Sequence, residues 1–210
     1  MQALEKIIHS RWLGFALTAA LALTAYSFML QAPFRGMDDS VTIVQNPDIR
    51  GFDNIPKIFT SSFFGDRSYY RPLVSLSYAI EYHFFGLCPF FYNLDNVIIH
   101  IFNAFAVFAL VNRLFQNRSI AFWASLLFAV HPVQWEAVAN VSGRAILLNA
   151  FFVLIALRLF IDFCGRGKIL ALAGSLLSFT LAFLCKESAA VLPVVLALYL
   201  AFFRREKTKL

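Results

Sequence analysis

His131-Pro132-Val133-Gln134-Trp135-Glu136-Ala137-Val138-Ala139-Asn140-Val141-Ser142-Gly143-Arg144 sits between two apolar runs and carries a histidine, a carboxylate, an amide and an arginine. A chain crossing a bilayer needs only a tight turn at such a place. Ionisable groups close to lipid are costly unless something requires them, so the stretch reads as functional. Pro132 suits the first position of a helix and Gly143 its end. One short helix between them would place Glu136, Asn140 and Arg144 at i, i+4 and i+8, on a single face.

Outward from this stretch the sequence is apolar enough to define the class. It is 60% hydrophobic and 17% aromatic with only 14% charged residues, the composition of a polytopic membrane protein. A crossing helix needs about 20 apolar residues. Candidates cover residues 12–31, 94–111, 119–133, 145–163, 169–185 and 189–203, which makes an all-α, six-span domain over residues 1–210. The third candidate is short and borrows length from His131 onward.

The net charge of +6 raises the question of nucleic acid, and the placement of the charges answers it. With a cytoplasmic N-terminus, the inside segments collect eleven cations, among them Lys6, Arg113, Arg118, Arg158, Arg166, Lys168 and Arg204 to Lys209, against three acids. The inside then carries +8 and the outside −2, as the positive-inside rule requires. No nucleic-acid partner is implied. Both termini are expected in the cytoplasm, and the first apolar run reads as a retained anchor rather than a cleaved signal. Cys88, Cys164 and Cys185 form neither a disulfide framework nor a metal-ligand spacing.

Residues 33–93 form a long outer loop. Within it Leu73 to Phe85 is interrupted by Ser75, Ser77, Glu81 and His83, and a crossing there would put the later arginines outside. An amphipathic helix lying in the outer interface fits better. In the second span Asn93, Asn96, His100 and Asn103 form one polar stripe, which either hydrogen-bonds to neighbouring helices or lines a cavity. Arg158 and Asp162 are expected to pair at i, i+4.

Asp38, Asp39, Arg71, Glu81, His100, His131, Glu136, Arg144, Lys186 and Glu187 all fall on the outer side. A transporter would place such groups near the midplane and break its helices there. An outer-face site for a lipid-borne substrate suits this distribution better. Transfer of a sugar from a lipid phosphate to a hydroxyl needs a carboxylate to take the acceptor proton and cations to hold the leaving phosphate. Asp38 and Asp39 are candidates for the base. Arg71, Arg144, Lys186 and His131 are candidates for the clamp.

These residues also carry a resemblance. Asp38-Asp39, Asn46-Pro47-Asp48, Tyr70-Arg71-Pro72-Leu73, Asn96-x-x-x-His100, His131-Pro132-Val133-x-x-Glu136-Ala137-Val138-Ala139 with Gly143-Arg144, and Cys185-Lys186-Glu187 follow one another as motifs do in the transmembrane and tetratricopeptide-repeat O-mannosyltransferases. The chain resembles the membrane-embedded N-terminal part of that family and its bacterial relatives, within the C-type glycosyltransferase fold. The resemblance implies a polyprenyl- or dolichyl-phosphate-linked sugar, mannose in the characterised members, as co-substrate in place of a cofactor. It implies a protein Ser or Thr as acceptor, an inverting transfer, a bacterial inner membrane or endoplasmic reticulum setting, and the role of base for Asp38 or Asp39. Arg71, His100, His131, Glu136, Arg144, Lys186 and Glu187 become the substrate- and phosphate-binding set, with no metal. Two departures stand out: the family continues with further spans, and Ile146 occupies a position that is often acidic there. Two other classes remain open, a flippase or transporter of lipid-linked substrates and a non-catalytic membrane scaffold fragment.

Overall fold

The computed structural model describes residues 10–63 and 69–204. Lys6 and Arg205 to Lys209, which weigh in the charge argument, lie outside the described residues. Seven main helices follow in order: α1 (Arg11–Tyr26), α2 (Pro72–Phe85), α3 (Pro89–Phe115), α4 (Arg118–Val130), α5 (Arg144–Arg166), α6 (Ile169–Phe183) and α7 (Leu192–Tyr199). No strand occurs among the described residues.

Local chemistry sets the boundaries. The Ser10 hydroxyl accepts from the Leu13 N–H at 3.4 Å at the start of α1, and Pro72 and Pro89 lie in the first turns of α2 and α3, where a missing N–H costs nothing. Gln116 ends α3 in the left-handed region at φ 51°. Asn117 then caps α4 by accepting from the Ile120 N–H at 3.1 Å. Two antiparallel hairpins result, α3 with α4 and α5 with α6, and α3 packs along α5.

Three helical stretches are long and apolar enough to cross a bilayer: Trp12–Met29, Pro89–Phe115 and Val141–Arg166. Arg118–Val130, Ile169–Phe183 and Glu187–Phe203 are apolar but shorter. The second long helix begins at Pro89, five residues before the expected start, and the extra turn brings Tyr92 and Asn93 into the helix. Outward-facing Trp123, Leu127, Leu170, Leu176, Leu177 and Phe202 are exposed, more apolar surface than water would tolerate. The protein is a membrane protein.

Helix contacts use groups that let backbones approach. Ser125 Oγ donates to the Ala104 carbonyl at 2.7 Å, joining α4 to α3, and Ser175 Oγ donates to Ala156 O at 2.8 Å, joining α6 to α5. Such hydrogen bonds matter because lipid offers no hydrophobic drive to associate.

The segment between α1 and α2 is packed, not loose. It runs through short helical turns at Gly36–Asp39, Ser40–Val44, Pro47–Ile49, Phe52–Asn54 and Ile55–Ile58. Ile43, Ile49, Ile58 and Phe63 bury themselves with Val74, Tyr78 and Ala79 of α2, and with Tyr92, Val141, Ala145 and Cys185. Each fully buried side chain of this size contributes about 1.5–3 kcal/mol. One apolar cluster therefore fixes the loop, α2 and the ends of α3, α5 and α6 as a unit. Arg50 adds a polar tie, donating to Ile43 O at 2.9 Å and standing 4.3 Å from the Tyr82 ring centre.

Candidate functional site

The 131–144 stretch is not one helix. It divides into a 3-10 turn at Pro132–Gln134, a helical turn at Trp135–Ala139 and a second 3-10 turn at Val141–Gly143, broken at Asn140, whose backbone is extended (φ −105°, ψ 132°). The expected common face of Glu136, Asn140 and Arg144 is thereby overturned: Glu136 is exposed while Arg144 is fully buried. Pro132 does open the segment, and His131 Nδ1 caps it by accepting from the Val133 N–H at 3.1 Å. That hydrogen bond leaves Nε2 as the ring's proton-bearing nitrogen in the neutral tautomer. The His131 residue is exposed.

Asp38 and Asp39 sit together in the turn after α1 and do different things. Asp39 is 1% exposed; its Oδ2 accepts from the Arg35 N–H at 2.8 Å and its Oδ1 from the Ser142 N–H at 2.9 Å. Both oxygens are thus held by backbone donors, one of them in the 131–144 stretch. Asp38 is exposed in the same turn, and its backbone carbonyl accepts from the Thr42 hydroxyl. Adjacent carboxylates in one helical turn diverge by about 100°, so burying one presents the other.

Arg144 lies at the first position of α5 and is the largest fully buried side chain. Its Nε donates to Asn96 Oδ1 at 2.9 Å, its Nη2 to Tyr92 O at 2.8 Å and its Nη1 to the Glu81 carboxylate, with Ser77 Oγ at 3.4 Å and Asp95 Oδ2 at 3.3 Å. The guanidinium also faces the Tyr78 ring at 4.9 Å. Tyr78 donates to Val141 O at 2.9 Å, closing the network back onto the stretch. The clamp role expected for Arg144 meets a physical obstacle here, since its donors already hold α2 and α3. It ties α2 and α3 to the start of α5.

Glu81 supplies the countercharge. Burial drives its carboxyl upward and Arg144 pulls it back only in part, leaving it at about 7. Oε1 of Glu81 is buried with no hydrogen-bond partner. Burial also pushes the Tyr78 phenol above its ordinary range.

The polar stripe of α3 resolves into interhelical hydrogen bonding. Asn93 donates to Ala32 O at 2.9 Å, Asn96 to Asn140 O at 2.8 Å and Asn103 to Leu147 O at 3.0 Å. His100 is fully buried between Tyr26 and Phe128 with Nε2 2.9 Å from Ala129 O. His100 is therefore packed into the protein interior instead of facing a cavity.

Arg71 and Glu187 meet across 116 residues. The guanidinium binds the carboxylate in two-pronged fashion, Nη2 to Oε1 at 2.8 Å and Nε to Oε2 at 3.3 Å, and lies 4.6 Å from the Tyr69 ring centre. Lys186 is next in the chain, in the turn between α6 and α7, and is half-buried. Asn149 of α5 fixes that turn by donating to Ala182 O at 3.0 Å and Lys186 O at 3.1 Å. Asp39, Arg71, Arg144, Lys186 and Glu187 thus attach to one framework through Ile43, Val141, Ala145 and Cys185 of the shared apolar cluster. Sequence reasoning passed over Tyr78, Asp95 and Asn149. Of these Asp95 and Asn149 carried a signal, a carboxylate and an amide inside apolar spans. Among the described residues no three His, Cys, Asp or Glu side chains are grouped to hold a metal ion.

Comparison with known proteins bears on this arrangement. The dolichyl-phosphate-mannose-protein mannosyltransferase family matches residues 72–210. Protein O-mannosyl-transferase TMTC1 of Homo sapiens is 36% identical over 150 residues, 67% of this chain and 17% of the relative. Protein O-mannosyl-transferase Tmtc1 of Drosophila melanogaster is 31% identical over 188 residues, 86% of this chain and 22% of its own length. Protein O-mannosyl-transferase TMTC2 of Homo sapiens is 33% identical over 207 residues, 91% of this chain and 24% of its own length. The chain thus spans about a quarter or less of these curated relatives. No solved structure matches it. With the order of motifs from Asp38 to Glu187 and the family match from Pro72 onward, the chain belongs to the dolichyl-phosphate-mannose-protein mannosyltransferase family, among the transmembrane and tetratricopeptide-repeat O-mannosyltransferases.

Proposed function

We propose that this chain is the outer-face half-site of a glycosyltransferase that moves mannose from a polyprenyl- or dolichyl-phosphate donor to a protein Ser or Thr hydroxyl. The observation that carries the reading is the division of labour between Asp38 and Asp39: one carboxylate is exposed, while its neighbour is held by two backbone N–H groups and fixes the turn. Asp38 is then the general base. The acceptor oxygen attacks the sugar C1 as Asp38 takes the hydroxyl proton, the C1–O bond to phosphate breaks, and polyprenyl phosphate leaves with the electron pair. Attack opposite the leaving group inverts C1.

Phosphate needs cations rather than a strong acid. Lys186 is the group that meets that need, with Arg71 on the same framework, half-neutralised by Glu187, and the exposed His131 adds a neutral Nε2–H donor. Glu136 is exposed at the same stretch and suits a sugar hydroxyl. Arg144 and His100 act as positioning groups, because both are buried with protein partners. The three long and three shorter apolar helices then form six spans, with the Asp38 side outside the cytosol and both termini inside, in the endoplasmic reticulum or a bacterial inner membrane. Charge placement supports that orientation.

The test is transfer in nanodiscs, with polyprenyl-phosphate-mannose and a Ser/Thr-rich peptide supplied to wild type, Asp38→Asn and Asp39→Asn. Loss of transfer in Asp38→Asn with unchanged folding supports the reading. Transfer that survives Asp38→Asn sinks it.

A further inference from the structure

The opposite end of the bundle holds a second, cationic site. α3 rises about 1.5 Å per residue, so Arg113 near its C-terminus is some 30 Å or so, by the same rise, from the Asn93 end that touches the outer loop. There Arg113, Arg158 and Arg166 line a cavity of about 700 Å³ together with Asn112, Gln116 and Tyr199. Among the described residues Asp162 is the one carboxylate paired there, accepting from Arg113 Nε at 2.6 Å and from Arg158. Among the described residues there, three guanidinium groups against one carboxylate leave an excess of two positive charges. Gly165 makes room for this arrangement, since a Cβ there would come within 2.5 Å of Arg113 Nη2. Arg158 Nε is buried and lacks a hydrogen-bond partner.

A cleft continues from the cavity between α3 and α5. It measures about 300 Å³ and shares Ala109 and Arg158 with the cavity, but its walls are Phe102, Phe105, Phe151, Leu154, Ile155 and Leu159. A cationic chamber opening into an aromatic and aliphatic groove matches an anion that carries a hydrocarbon chain. A free phosphate would leave the groove without an occupant. From this continuity we infer that Arg113, Arg158 and Arg166 bind the phosphate of an anionic phospholipid in the leaflet opposite the Asp38 side, with one acyl chain lying along the Phe102–Phe151 groove. This site is independent of the proposed transfer chemistry, because it shares no residue with it.

The test is native mass spectrometry of the full chain released from nanodiscs holding phosphatidylglycerol and phosphatidylcholine in equal amounts. Wild type should retain one phosphatidylglycerol per chain with roughly tenfold preference, which corresponds to a single strong charge-assisted contact. Arg113→Gln/Arg166→Gln should lose the preference while Lys168→Gln, at the same end but outside the cavity, keeps it. Should the double variant fail to fold by circular dichroism, Ala106→Leu, at a residue that also lines the groove, narrows it without altering charge and should reduce retention severalfold. Equal retention of both lipids by wild type overturns the inference, as does an equal loss in Lys168→Gln, which would mean diffuse surface charge. Displacement of the lipid by millimolar inorganic phosphate also overturns it, because the site would then take the free anion.

Discussion

Asp39 Oδ1 accepts a hydrogen bond from the Ser142 backbone N–H at 2.9 Å, across 103 residues of sequence. The contact holds the turn after the first helix against the stretch that opens α5. It also gives two adjacent acids different surroundings, Asp39 buried and Asp38 exposed, which the proposed mechanism turns into different roles. Asp38→Asn should abolish transfer by about a hundredfold or more, the usual worth of a positioned base, and leave the melting temperature within error. Asp39→Asn replaces one acceptor oxygen with a donor facing an N–H, and should destabilise by about 1–3 kcal/mol. Thermal unfolding and transfer rates measured on the same two variants separate the effects. A stable but inactive Asp39→Asn would reverse the assignment.

How much of this was legible from residues alone depends on what each residue answers to. The apolar runs declared the helices and their class because span length is a property of the sequence itself. The Asn96 and His100 periodicity showed that one face of α3 was special, but not whether it met water or carbonyls. That depended on Ala129, Asn140 and Leu147, which arrive from other helices. Arg144 was visible as an important residue because a charge near lipid must have partners, but those partners, Glu81, Asn96 and Tyr92, arrive from α2 and α3 and were not legible. Tyr78 and Tyr92 gave no signal because aromatic residues are common throughout this chain. The break at Asn140 was hidden as well, since Pro132 and Gly143 also fit one continuous helix.

Arg144→Ala should loosen the half of the protein built around α2 instead of merely weakening donor binding. Removing the guanidinium leaves the Glu81 carboxylate buried without its ion partner, a change that costs about 3–5 kcal/mol. Replacing both partners, Arg144→Met with Glu81→Gln, should recover most of the loss. Chemical denaturation of the three proteins checks this. If Arg144→Ala melts like wild type and only raises the donor KM, the residue is a ligand after all.

Gly143 is under a steric constraint of another kind. A Cβ at this position would collide with the Ala137 carbonyl, which is backbone and cannot rotate aside. Gly143→Ala should therefore lower stability by about 1–3 kcal/mol through forced displacement of the turn. Gly51 is the matched control, with nothing within 4 Å of its own added Cβ and an extended φ of −175° that any residue adopts. Gly51→Ala should be neutral, and equal melting shifts for the two variants would count against the packing argument.

The Arg71 and Glu187 pair predicts a coupling without a large stability term. Glu187 is 54% exposed at its side chain, so solvent limits the pair to about 0.5–1 kcal/mol. If Arg71 serves the donor phosphate, Glu187→Gln should lower the donor KM by releasing the guanidinium, whereas Arg71→Gln should raise it severalfold. Arg71→Lys should recover only part of the loss, because an ammonium cannot reproduce the two-pronged fork. Changes confined to kcat in both variants would assign the pair to catalysis-coupled positioning and remove Arg71 from the clamp.

Glu81 makes the stability of the half built around α2 depend on pH. Burial raises its folded-state carboxyl to about 7, against an ordinary value of 4.5, with Arg144 acting in the opposite sense. A group that binds its proton more tightly when folded adds stability that is fully present below pH 4.5 and declines as the pH climbs through about 7. Glu81→Gln fixes the neutral form, so this part of the pH dependence should vanish in the variant. Thermal melts of wild type and Glu81→Gln from pH 5 to pH 8 should diverge progressively, with wild type losing ground as the carboxylate ionises, each step of the scan being set by the same 4.5 to about 7 interval. Parallel curves would show that Arg144 keeps Glu81 ionised throughout and that the ion pair, rather than a shared proton, holds α2 to α5.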